Sequence, residues 1–116
     1  MTRPRSFRED ELQANIVKAA RLFGWRHYHP YDSRRSVEGF PDLVLVRARL
    51  GEPKRLIFVE LKQDGKQPTD NQQEWLNDLA VVARHVALSM NEPVIDVCVW
   101  RPADWLSGDI ERVLRR

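Results

Sequence analysis

Cysteine is almost missing from this chain. A single residue, Cys98 in 116 positions, excludes an internal disulfide framework and a zinc site built on thiolates. Long apolar runs are missing too. Nothing approaches the roughly 18 residues of a membrane helix, and the opening "MTRPRSFRED" lacks the apolar stretch of a secretion signal. Residence in the cytoplasm, away from membranes, is the expectation. Strong net charge is absent as well: 19 lysines and arginines against 17 aspartates and glutamates leave +2. There is no internal repeat and no low-complexity tract.

What is present suits a folded domain. A 42% hydrophobic and 31% charged composition supports one core of ordinary size. The boundaries expected are a basic N-terminal tail at 1–8 and a single domain at 9–116. The basic residues are clustered: Arg3, Arg5 and Arg8 open the chain, Arg34 and Arg35 stand in a polar loop, and Arg112, Arg115 and Arg116 close it. Such clusters suit phosphate contacts, although charged tails also coat inert surfaces.

Leu12, Ile16, Ala19, Ala20 and Phe23 recur at helical spacing over 9–24, with acids in the first turn and Gly24 as a stop. Trp25, His27 and Tyr28 read as the start of an edge strand, followed by a polar loop from Pro30 to Gly39. Strands are expected at 43–49 and 55–62, joined by a turn at Gly51 and Pro53. Thr69 or Asp70 caps a helix carrying Trp75, Leu76, Leu79 and Val82. Further strands are expected near 85–89 and at 94–100, and then a short C-terminal helix. This order predicts an α/β fold, a mixed sheet covered by helices.

Two charges sit oddly in this pattern. Asp42 stands just ahead of "LVLV", and Glu60 lies within "LIFVELK". Folding the two strands about Gly51 sets 42 opposite 60 and 44 opposite 58, so that both acids share one face. Period two adds Lys62 to that face and turns Leu61 into the core. Paired carboxylates repel unless a cation compensates them. Mg²⁺ does so, with Mn²⁺ as a substitute, held by Asp42, Glu60 and the Leu61 backbone carbonyl; hard oxygen ligands favour it over zinc. Lys62 then orients the attacking water or balances charge on the phosphoryl group. No organic cofactor is implied. The bland reading, a loop cap and a solvated strand face, competes with this one for each residue taken singly.

The ordered set "GFPD" at 39–42, "ELK" at 60–62, Glu11 with Gln13 on the first helix, and Gln72 with Trp75 resembles the VRR-NUC branch of the PD-(D/E)xK nucleases, over about residues 9–100. The resemblance implies a restriction-endonuclease-like core. It implies catalytic roles for Glu11, Asp42, Glu60, Lys62 and Gln72, with Glu11 reaching the metal directly or through water. Stand-alone members resemble compact phage or bacterial endonucleases, including dimers that cleave four-way junctions. The expectation is therefore a homodimeric, structure-selective DNA endonuclease, with Arg3, Arg5, Arg8, Arg34, Arg35 and Lys66 as DNA contacts. A flap or nicking nuclease, a non-catalytic DNA-binding module and an adaptor using 100–106 are the alternatives. Trp75, His27, His29, Trp100 and Trp105 read first as packing. The family's glycine-containing turn after the QxxW helix has no counterpart here.

Overall fold

The computed structural model describes residues 8–30 and 37–116. Arg3, Arg5, Arg34 and Arg35 lie outside that range. Helix α1 (Glu9–Leu22) buries Leu12, Ile16, Ala19 and Ala20. It ends as the sequence predicts: Gly24 takes φ +86°, a conformation without Cβ strain only for glycine, and Trp25 N–H donates to the Ala20 carbonyl at 2.9 Å.

Four strands form one sheet in the order β1 (Arg26–Tyr28), β2 (Leu43–Arg47), β3 (Arg55–Leu61), β4 (Ile95–Trp100). The first three run antiparallel, and β4 is parallel to β3. Helix α2 (Asp70–Met90) makes the crossover that a parallel pair requires. Two short helices, α3 (Pro102–Leu106) and α4 (Asp109–Arg115), follow with Gly108 between them at φ +85°. The sheet is thus mixed and flanked by helices, as expected.

Alternation along the hairpin divides its faces. Leu43, Leu45, Ile57, Val59 and Leu61 point into a core closed by Leu12, Ile16, Ile110 and Leu114. The opposite face carries Val44, Phe58 and Glu60, and α2 covers its β4 side.

Two expectations need correction. The segment 85–89 is the last part of α2 and not a strand. Nothing in "VARHVALS" breaks a helix, and the stop is made by Asn91, which adopts the left-handed conformation (φ 56°) that a glycine more often supplies. The missing glycine therefore lengthens a helix and marks no strand boundary. The C-terminal segment forms two helices where one was expected, because Pro102 starts α3 and Gly108 separates it from α4. Among the described residues no helix is long and apolar enough to cross a membrane.

Candidate active site

The β2–β3 register pairs Leu43 with Val59 and Val44 with Phe58, so the next pair outward is Asp42 and Glu60. Their approach is fixed from several sides. Asp42 Oδ2 accepts the Leu61 N–H at 2.8 Å, which ties the loop before β2 to the end of β3. Buried Pro41 fixes its own φ just ahead of it. Gly39, at φ +84°, packs so closely on α2 that a Cβ there would meet the Asn71 backbone at 2.7 Å. Phe40 then stands edge-on to Trp75 at 5.1 Å and to Phe58 at 6.3 Å. "GFPD" is thus a clamp: the glycine admits α2, the aromatic grips it, and the proline aims the acid.

Glu60 is only 1% exposed, and its Oε2 has no hydrogen-bond partner among the described residues. Its pKa is pushed up to about 9, first by burial, then by the hydrogen bond and like charge of Asp42. Lys62 opposes this shift and the charge of Glu9 adds to it. A buried, half-satisfied carboxylate beside a second acid is a costly arrangement without a cation. The residues fit a hard divalent ion: two adjacent carboxylates, one with an orphaned oxygen. Among the described residues no third acid or imidazole joins them as a closed cage. That openness is how Mg²⁺ is ordinarily held, by one or two carboxylates with water and substrate phosphate completing the shell.

The backbone around Lys62 is fixed too. Its N–H donates to the Trp100 carbonyl at 3.1 Å, continuing the β3–β4 pairing. The turn beyond it is anchored by Arg101 to the Lys66 carbonyl at 2.7 Å and by Ala103 N–H to Asp64 at 3.1 Å.

The remaining candidates fall in different places. Glu11 is exposed and paired with Arg8 at 2.9 Å, and Arg8 also meets Asp10 at 3.3 Å. The helix-one acid whose charge acts on Glu60 is Glu9, which sequence reasoning passed over. The signal was available in helical phase. At 100° per residue Glu9 shares the stripe of Leu12, Ile16 and Ala20, whereas Glu11 points to the far side. Gln72 forms a capping box with Thr69, accepting the Thr69 N–H on Oε1 at 2.9 Å. It stands in the first turn of α2, beside Asn71 on which Gly39 packs. Lys66 is exposed on the anchored turn, and Trp75 packs on Phe40 as read.

A sheet hairpin that presents PD at one strand, ExK at the next, and an acid from the preceding helix defines the PD-(D/E)xK class of nuclease. The chain belongs to the VRR-NUC family: the family's domain model, described as VRR-NUC domain, matches residues 5–88, from ahead of α1 nearly to the end of α2. Comparison with curated proteins and with solved structures gave no significant match. The family makes this a nuclease-type, DNA-processing protein.

Proposed function

We propose that the chain is a divalent-metal-dependent endonuclease that hydrolyses phosphodiester bonds in branched DNA, four-way junctions above all. The observation that carries the metal dependence is Glu60, a buried carboxyl with one oxygen unpartnered and Asp42 beside it. Asp42 and Glu60 would hold the cation, with the Leu61 carbonyl as a further oxygen, and Glu9, better placed than Glu11, would act on the same site. A bound Mg²⁺ or Mn²⁺ supplies charge neutralisation and activation of the phosphodiester. Lys62 offsets negative charge growing on the phosphoryl group and orients the attacking water, from a backbone that β4 holds still. Gln72, at the N-terminal end of α2, contributes amide hydrogens toward the scissile phosphate.

The preference for branched substrates rests on β1. All three β1 residues are exposed at the open edge of the sheet. A second copy there gives a two-fold dimer with two sites for two strands. The test is a cleavage panel of four-way junction, flap and linear duplex, each with Mg²⁺, Mn²⁺ or chelator, run beside Lys62→Ala. Metal-dependent cutting of the junction that the variant lacks supports the reading. Equal cutting by the variant removes Lys62 from the mechanism, and DNA binding with no cutting under any metal leaves a non-catalytic module.

A further inference from the structure

The sheet face that carries the acidic pair is covered unevenly. Helix α2 packs on β4, and the β1–β2 half of that face is left open. Its side chains follow from the register: Tyr28 lies beside Val44, and Arg26 beside Val46. Paired residues share a face, so Arg26 and Tyr28 stand on the side of Asp42, Val44, Phe58 and Glu60. His27, by the same alternation, belongs to the other side. Tyr28 is 63% exposed and Val46 40%, while Val44 is half-buried. Arg26 is exposed, and no acid among the described residues pairs with it.

The register also ties these residues to the acids. Val44 is two residues from Asp42 on one face, so Tyr28 is the diagonal cross-strand neighbour of Asp42. Side-chain roots so related stand about 7–8 Å apart, within reach of an aromatic ring. Arg26 lies one step further, level with Val46, four strand residues or about 14 Å from Asp42. Lys62 acts on Glu60 from the far end of β3. The acids thus stand between a lysine on one side and a tyrosine and an arginine on the other. An arginine without an acid partner suits phosphate, and the phenol adds one O–H donor. A duplex turns its phosphates and sugars outward, and arginine and tyrosine are among the side chains that hold them without reading sequence.

We propose that the open β1–β2 face seats the backbone of the duplex arm next to the scissile phosphate, with Arg26 binding one phosphate and the Tyr28 hydroxyl donating to another. This rests on the nuclease reading above and extends its site by two residues. Each arm of a four-way junction supplies such a duplex.

Binding by fluorescence anisotropy in chelator separates the proposal from catalysis. The probes are a labelled blunt duplex and a labelled four-way junction. Arg26→Ala should weaken both about five- to ten-fold and lower the salt slope on duplex by about 0.9, one phosphate. Tyr28→Phe should weaken both about three-fold, one neutral hydrogen bond, at unchanged slope because a neutral donor releases no counterion. Arg21→Ala removes an exposed cation on the His27 side and should change binding less than about two-fold. With Mg²⁺ present, both β1 variants should raise KM and leave kcat within about two-fold, the pattern of a contact made equally before and during reaction. Either β1 variant binding as tightly as wild type would overturn the proposal. So would an equal loss in Arg21→Ala, which would reduce the effect to net charge. A β1 variant of lower mass in sedimentation would overturn it too, and make the face a seat for a second copy. If wild type binds duplex through Arg26 but cuts with no metal, the catalytic reading falls and the β1 face stands. If wild type cuts and both β1 variants bind as it does, the reverse holds.

Discussion

At one end of the β2–β3 hairpin Arg47 faces Arg55; at the other Asp42 faces Glu60. Both ends place like-charged side chains side by side, three of the four buried and Asp42 half-buried, and they treat them differently. Arg47 and Arg55 are 5% and 7% exposed. Arg47 donates to the Leu114 carbonyl at 3.0 Å and to that of Arg116, and stacks over Trp25 at 4.6 Å. Arg55 donates to the Val113 carbonyl at 3.0 Å and pairs with Asp96. The two cations thus satisfy the carbonyls at the end of α4, groups that no helix can satisfy internally. Only Arg47 Nε is left over, with Glu52 at 3.9 Å. At the acidic end nothing comparable meets Glu60 Oε2 among the described residues. A buried charge with its partners in place is architecture; the unpartnered Glu60 oxygen is what the proposed cation would complete.

That contrast can be broken in several ways. Lys62→Ala should lower the cleavage rate about 10²–10³-fold while thermal unfolding at neutral pH stays near wild type, as a gel assay beside a melting curve will show. Glu60→Gln should lower the rate as far but, without metal, melt above wild type at neutral pH. Arg55→Met should do the opposite, costing about 3 kcal/mol by urea unfolding, the low end for a broken buried pair because Asp96 is part-exposed. Its cleavage rate under native conditions should change little. If Arg55→Met abolished cleavage without destabilising, the two ends would not be separable.

Glu9→Gln should weaken the Mg²⁺ response of cleavage about ten-fold, the scale of a supporting group at a metal site, and Glu11→Gln should leave it unchanged. Titrating Mg²⁺ against rate for both variants decides between the two acids.

The remaining contrast is in stability against pH. Unfolded, Glu60 loses its proton near its ordinary 4.5; folded, it does so only near 9. Its contribution is therefore complete below about 4.5 and declines as pH rises toward 9. Metal-free wild type should lose melting temperature across that window relative to Glu60→Gln, and Mg²⁺ should restore most of the loss at the alkaline end. Parallel curves for the two proteins without metal would remove the strain assigned to Glu60.

Much of this was legible in residues alone. Period two around Gly51 gave the hairpin register and so the meeting of Asp42 with Glu60, because side chains alternate strictly along a strand. Helical spacing gave α1, and Gly24 its end. Glu9 was legible in phase and missed, since a charge in a first turn has an ordinary explanation in the helix dipole. The 85–89 error has a different origin: a short, mostly apolar run such as "HVALS" fits either period, and only the left-handed Asn91 downstream settles the length of α2.

Sequence by itself determined which acids share a face, which side chains enter the core and where the chain must turn, since those follow from local periodicity and backbone sterics. Tertiary structure decided which charges find partners. Arg47 and Arg55 are satisfied by carbonyls some sixty residues away, and Glu60 is left short because the assembled chain buries it at 1% exposure with no partner for Oε2 among the described residues. Solvation is a property of the assembled surroundings, and no local pattern encodes it.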